Sequence, residues 1–487
     1  MNRTPLVTAL VALLAGCTVG PDFKEPAAPD TKAYTQGGTE TLSNPGGQET
    51  QQRLAVGTKV EGEWWDLYHS PRLDAVLKDA LARNETLASA QATLAAAREQ
   101  TNQARGALLP QVDFAASATR QRSSLLGVGV NQLGAIDNLY QIGPNVSYAL
   151  DIFGLNKRKA EQQEAIAQYQ DYQLAGAYLT LTGNVVRQAI AIALARAQIA
   201  AVEAIVRDDQ QTVDLVNREF KTRNNTLSDV DTAATQLASD RALLPPLRQQ
   251  LSVANDALAV LAGKAPGDWT PPAFDLAEFS LPRDLPLTVP SELVRQRPDI
   301  LGAEAQLHAA SAAVGVATAQ LYPNITLSAA LTQEALKTAT LFTGAGMGWD
   351  IAAGLTAPIF HGGALQAQKR GAEDTYQSAL ATYRQTVLQS FGQVADTLQA
   401  LDHDAQLVAA EQQALASSQS AAKAERDSYA YGNVEILGVL DAERQNEQAQ
   451  LGDLKAVAQR YLDTADLFGA MGGGWREWRA QQLAAAR

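Results

Sequence analysis

The chain has 487 residues, of which 46% are hydrophobic, 6% aromatic and 19% charged, with a formal net charge of −13. That acidic balance argues against nucleic acid and against a basic membrane-surface patch, and a single cysteine excludes an intrachain disulfide. Alanine and glutamine are abundant, a composition that favours long helices packed through small residues.

The N-terminus reads as a leader. Arg3 supplies a thin positive region, Leu6 to Leu14 is apolar but too short to span a bilayer, and Leu14-Ala15-Gly16-Cys17 follows. This pattern resembles a bacterial lipobox, which predicts a lipid-bearing Cys17 as the mature N-terminus. By the same resemblance, Thr18 beside it, rather than Asp, suits delivery to the outer membrane. No later segment is read as apolar enough for a transmembrane helix. Residues 18 to about 60, with Pro21, Pro26, Pro29 and Pro45, read as an extended tether, poorly ordered or lying on the surface. After Trp64-Trp65 and Ser70-Pro71, an amphipathic face of Leu73, Val76, Leu77, Ala80, Leu81, Leu87 and Leu94 predicts one helix to about Gly106.

At Leu109-Pro110 the period changes to two. Val112, Phe114, Ala116 and Ala118 alternate with polar residues, and beyond a Gly-rich loop (Gly127 to Gly134) so do Tyr140, Ile142, Val146, Tyr148, Leu150 and Ile152. The second run has the length of a tilted transmembrane strand; a hairpin half-buried on a helical layer is the competing account. A long helix is predicted from about Leu155 to Arg223, with Asp209 at a polar gap. Asn224-Asn225 reads as its turn. A return helix follows from near Leu227 to Gly263, which Pro245-Pro246 should kink or break.

The plan then repeats at an offset of about 207–213 residues. Leu109-Pro110-Gln111-Val112 matches Tyr322-Pro323-Asn324-Ile325, and Ile152-Phe153-Gly154 matches Ile359-Phe360-His361. Alternation returns in Ile325, Leu327, Ala329 and Leu331, and in Met347, Trp349, Ile351, Ala353, Leu355 and Ala357. From about Gly363 to Gly469, apolar residues recur every seventh position: Leu380, Val387, Val394, Leu401, Val408, Leu415, Ala422 and Tyr429. Phe391, Leu398 and Ala405 fill companion positions, the seam of a coiled helix. About 68 residues at 1.5 Å each make a rod of roughly 100 Å, broken at Gly432-Asn433. Ile436 to Phe468 reads as a second helix.

These readings divide the chain into a leader (1–16), a tether (17–62), a first repeat (63–281, hairpin 110–153), a second repeat (282–471, hairpin 323–360) and a tail (472–487). Four strands cannot close a barrel, and lipid tolerates no open edge. Two chains would give eight strands and a filled interior; three would give twelve and room for a pore. Ser117, Asn145, Ser147, Thr326, Ser328 and Thr356 suit a wet lumen. Trp349, Tyr140 and Tyr148 belong either to an interfacial aromatic girdle or to the filling of the hairpin's outer face.

Several motifs carry a resemblance over nearly everything after Cys17. They are Cys17-Thr18-Val19-Gly20-Pro21-Asp22-Phe23, Trp64-Trp65 with Ser70-Pro71-Arg72-Leu73, and Leu258-Ala259-Val260-Leu261-Ala262-Gly263. Further on come Pro290-Ser291-Glu292-Leu293 with Arg297-Pro298-Asp299-Ile300, Tyr322-Pro323, Ala357-Pro358-Ile359-Phe360, and Tyr431-Gly432 ahead of Val439-Leu440-Asp441-Ala442. The chain resembles the TolC-like outer-membrane factor family in its lipoprotein (OprM/NodT-type) branch. The resemblance implies a mainly α fold with a transmembrane β part: duplicated helical hairpins form an α-barrel continuous with a β-barrel that trimerisation completes. It also implies a homotrimeric exit duct in the outer membrane, docked to a periplasmic adaptor and an inner-membrane pump of the RND type. The cargo it implies is drugs or other small toxic compounds.

By the same resemblance the duct narrows at the helical tips, where Asp229 and Asp441 match acidic positions. Gly438 stands where other members carry Asp, so the second repeat offers one acidic layer. Three like charges near a three-fold axis repel unless protonated or bound to cations. Alternatively, both acids simply favour the positive end of a helix. Leu437 and Leu440 form an apolar constriction or pack within the coil; Arg223 and Arg444 brace neighbouring helices or face solvent. The tips Asn224, Asn225, Thr226, Gly432, Asn433, Val434 and Glu435 form the expected adaptor-docking surface.

Enzyme readings fail. His69, His308, His361 and His403 are isolated, with no metal-ligand spacing. No nucleophile elbow or phosphate loop is present, and no cofactor is expected. A protein-secretion duct and a lipid-tethered coiled-coil scaffold without a pore are the alternatives.

Overall fold

The computed structural model describes residues 18–36, 42, 51–124, 133–222 and 226–485. Its strands are β1 (Arg53–Val56), β2 (Gln111–Ser124), β3 (Leu133–Leu150), β4 (Asp284–Leu287), β5 (Asn324–Ala335) and β6 (Met347–Thr356). Its helices begin with α1 (Pro71–Arg83), α2 (Glu85–Gly106), α3 (Leu155–Lys221) and α4 (Leu227–Leu261). They continue with α5 (Pro290–Leu293), α6 (Pro298–Ala319), α7 (Ala364–Ala430), α8 (Ile436–Ala470) and α9 (Trp475–Ala485). The chain forms two compact units. One comprises Thr93–Gln170, Gly302–Arg384 and the described part of Met1–Pro26; the other comprises Ala27–Ala92, Asp171–Leu301 and Gln385–Arg487.

The first unit holds a four-stranded antiparallel sheet in the order β2-β3-β5-β6. The N-terminal segment is clamped beside it. Val19 N–H donates to Phe153 O (3.1 Å), and Gly20 (φ +93°) lies so close to Gly315 that a Cβ there would sit 2.5 Å from its Cα. The buried Arg158 guanidinium donates to Asp22 and to Glu161, both at 2.7 Å. Phe23 stacks on His308 at 4.4 Å, and His308 Nε2 lies 3.0 Å from Glu161 Oε1.

The second unit is held by aromatic residues that the helical periodicity does not announce. Trp64 stacks on Phe468 (5.1 Å); the Tyr68 hydroxyl donates to Tyr461 O (2.8 Å) and the Tyr461 hydroxyl to Phe279 O (2.7 Å). β1 pairs in parallel with β4, so part of the expected tether is a strand. The expected tail contains α9, whose Trp478 stacks on Tyr178 at 4.4 Å. The Arg297-Pro298-Asp299 motif starts α6. Arg297 grips Asp299 through both ends of its guanidinium (3.0 and 2.8 Å) and donates to Ala470 O (2.8 Å).

Three expectations are corrected. The predicted helix to Gly106 is two helices, because Asn84 leaves the helical conformation and its Oδ1 accepts the Leu87 N–H (3.0 Å). Of the kink or break expected at Pro245-Pro246, the break does not occur, and α4 runs through both: both prolines are exposed, as are Arg241 and Ala242 one turn earlier, so the carbonyls that lose an N–H partner can bond water instead. Finally, α3 does contain a window long and apolar enough to cross a membrane, nearly half of it buried. Its Val185, Val186, Ala189, Ile190, Ile192 and Ala193 are core residues.

Candidate functional site

The register of the large sheet sorts every strand residue onto one of two faces. Phe114 opposes Pro144, Val146 opposes Ala329, Tyr148 opposes Leu327, and Ala329 opposes Ile351. On that face lie Val112, Ile142, Leu150, Ile325, Leu331, Met347, Trp349, Ala353 and Leu355 as well. Trp349, Tyr140 and Tyr148 share it. Gln333 lies within this face, and Arg120, Asn138 and Arg122 lie on it where β2 ends and β3 begins. The apolar surface is solvent-exposed along β6 in the single chain: Trp349 is 75% and Ile351 76% exposed. A soluble monomer rarely leaves so large an apolar patch uncovered.

The opposite face is polar. It carries Ser117, Asn145, Ser147, Thr326, Ser328 and Thr356, with the acids Asp113, Glu334 and Asp350. Gln141 Nε2 donates to Glu334 at 2.6 Å. The strand order leaves β2 and β6 as edges.

In the second unit the ends of α3, α4 and α8 meet in an apolar cluster of Val213, Val216, Ala233, Leu237, Ile436, Val439 and Leu440. Leu440, 6% exposed, is therefore core and lines no constriction within the chain. Leu437, Asp441 and Arg444 follow one another at i, i+4 and i+7 and form an exposed stripe on α8. Arg444 pairs with Asp441 on its own helix, and Gln445 Nε2 donates to the same carboxylate (2.8 Å).

Asp229 closes a capping box. Its carboxylate accepts the Thr226 N–H and hydroxyl, both at 2.7 Å, while the Thr226 hydroxyl accepts the Asp229 N–H. The Thr226 N–H and then its hydroxyl hold the Asp229 carboxyl below its ordinary pKa. Gly432 takes φ +72°, which ends α7 at little cost for a residue without Cβ. Asn433 and Glu435 are exposed and Val434 is half-buried. Cys17, Arg223, Asn224 and Asn225 lie outside the described residues.

One link here was not anticipated from sequence. The Tyr429 hydroxyl donates to Glu219, joining the last turn of α7 to the last turn of α3. Elsewhere, Glu63, Asp66 and Asp74 bring carboxylate oxygens within 4.8 Å of one another. Exposed acids often do so, and Asp74 already accepts from Lys78 (2.8 Å).

Long helical hairpins in one unit and, in the other, a sheet with one lipid-compatible face are the parts of an outer-membrane channel fold. The sequence pattern of the outer membrane efflux protein family matches residues 76–264 and 289–473, and the chain belongs to that family. It is 28% identical over 479 residues to the probable outer membrane lipoprotein SilC of Salmonella typhimurium, covering 97% of this chain and 99% of SilC. It is 30% identical over 429 residues to the pyoverdine export outer membrane protein OpmQ of Pseudomonas aeruginosa, covering 86% and 88%. The solved outer-membrane channel OprN superposes with a TM-score of 0.86 at 27% identity, covering 94% of this chain and 100% of OprN. The chain is an outer-membrane efflux channel, the exit component of a tripartite pump.

Proposed function

We propose that three copies close a twelve-stranded barrel, with the β6 edge of one protomer pairing with the β2 edge of the next. The observation that carries this is the apolar face that spans all four strands, with Gln333 within it and Arg120, Asn138 and Arg122 only where β2 ends and β3 begins, together with the two open edges. Lipid covers the apolar face, and the edges must be paired because hydrocarbon offers no hydrogen bonds. The polar face lines the lumen. Cys17 carries the lipid anchor. It adjoins Thr18, which packs on Gly154 four residues past the end of β3, so the acyl chains enter beside the sheet.

The exposed stripe Leu437, Asp441 and Arg444 lines the periplasmic mouth, with Asp441 as its acidic layer; Asp229 shapes the neighbouring turn through its cap. The Gly432 to Glu435 tip and the Asn224 to Thr226 turn dock the periplasmic adaptor, which couples the channel to an inner-membrane pump of the RND type. The cargo is small toxic compounds. Asp113, Glu334 and Asp350 on the lumen face, with no Lys or Arg among its described strand positions, favour cations.

The purified protein in planar bilayers tests the reading. A heat-modifiable trimer with a cation-selective reversal potential is expected. A monomer that carries no current overturns it.

A further inference from the structure

Among the described residues, four acids from three helices meet in the interior of the second unit, next to the apolar cluster at the helix ends. Asp209 stands on α3 one turn before Val213, Asp240 on α4 just after Leu237, and Glu443 and Glu447 on α8 beyond Leu440. Asp209 and Asp240 are each 4% exposed and Glu447 6%. The Asp240 carboxylate is in hydrogen-bond contact with Asp209 on one side and Glu447 on the other. Gln236 Nε2 donates to its Oδ2 (2.8 Å). Asp209 Oδ2 is buried and meets no donor.

The charged groups facing this cluster are few. Asp208 on α3 adds a second negative charge near Glu443. Arg426 on α7 lies 3.1 Å from Glu443 Oε1 and is engaged there. Arg241, beside Asp240 on α4, turns to Gln210 (2.8 Å). Among the described residues, Asp209, Asp240 and Glu447 therefore have no cation of their own. Three carboxylates in contact and out of water cannot all be ionised; each held proton turns one repulsive contact into a hydrogen bond, so the two contacts take two protons.

We propose that Asp209, Asp240 and Glu447 form a proton-held latch that fastens α8, of the second repeat, to the α3–α4 hairpin of the first. Its loss of protons releases α8 from that hairpin. Burial first, then Asp240, lifts the Asp209 carboxyl to about 8, and burial with Asp240 lifts Glu447 to about 7. The folded state thus holds protons that the unfolded chain gives up near pH 4. The latch is complete below that pH and is lost as pH rises through the folded values. If the periplasmic mouth narrows at these helix ends, as proposed above, alkaline pH loosens the mouth.

The test uses the purified full-length protein. Its thermal midpoint should fall as pH rises from about 5 to about 9. Asp209→Asn should flatten that fall, so that the variant's advantage over wild type grows with pH. Asp240→Asn and Glu447→Gln repeat the test should one variant not fold. In bilayers, wild-type conductance should rise severalfold over the same range, and Asp209→Asn should stay low.

Asp404→Asn is the control. Asp404 contacts Asp463 within the second hairpin, and burial with Asp463 lifts it to about 7. Its loss should alter the thermal curve and leave the conductance rise intact. Thermal curves parallel at every pH for wild type and all three latch variants overturn the latch. Equal conductance rises in wild type and Asp209→Asn overturn the release of α8. Absence of current at any pH, with the thermal difference intact, supports the latch and overturns the channel reading instead.

Discussion

Arg297 shows how one residue of a sequence motif acts. It is 8% exposed and holds Asp299 at two points, Ala470 O at 2.8 Å and Gln393 Oε1 at 2.9 Å. Burial would raise the Asp299 carboxyl; the Arg297 hydrogen bond and charge, the Ile300 N–H and Ser390 outweigh it and hold the carboxyl below its usual value. That contribution is present above the ordinary carboxylate pKa and lost as pH falls below it. Arg297→Ala should cost on the order of 2–3 kcal/mol, because Asp299 and the Ala470 carbonyl lose a charged donor. Thermal unfolding measures it, and a midpoint equal to wild type would show the motif to be decorative. The motif was legible in the sequence but its partners were not, since Gln393 and Ala470 lie far along the chain. Asp209 misled in the opposite way. A charge at a polar gap of a helix normally faces water, yet here a neighbouring helix presents Asp240 to it.

At the scale of elements, the helices and strands followed from their periods. Val112 to Ala118, Tyr140 to Leu150, Ile325 to Leu331 and Met347 to Leu355 alternate, and the observed register places their large apolar members on one face, with only the small Ala115, Ala149, Ala330 and Ala352 on the other. Ile351 and Ala352 are neighbours on opposite faces of β6. Ile351→Arg should lower the stability of the membrane-inserted protein by about 2–4 kcal/mol, the cost of a cation near the bilayer midplane. Ala352→Arg, on the polar face, should leave stability near wild type and alter ion selectivity. Equal effects of the two would reject the lipid-facing assignment. The break at Asn84 escaped the periodicity because a polar residue at an exposed-looking position also fits a continuous helix. What decides it is that Asn84 Nδ2 reaches Leu261 O (3.0 Å) while its Oδ1 caps the next helix.

For the whole molecule, the repeat, the leader and the alternation together pointed to a lipid-anchored channel completed by further copies, and the family match supports an outer membrane efflux protein over residues 76–264 and 289–473. The mouth is where the candidate residues separate. Asp441→Ala frees Arg444 and removes the proposed acidic layer, so single-channel conductance should rise and cation preference weaken. Unchanged current would move the constriction elsewhere on the helices. Leu440→Ala should instead loosen the apolar cluster, lowering the thermal midpoint, because its side chain packs among Val213, Val216 and Leu237.

The sequence alone determined what is local or periodic: long helices from the heptads, strands from alternation, the break at Gly432, and the duplicated plan. These depend on the spacing of residue types along one chain, which the sequence states directly. Only the tertiary structure decided which side of each helix is inside. It buried Leu440 and Asp209, exposed Leu437 and Asp441, joined β1 to β4, and seated Trp478 on Tyr178. Burial is fixed by what a distant segment brings against a surface, and residues far apart in the chain carry no local record of that meeting.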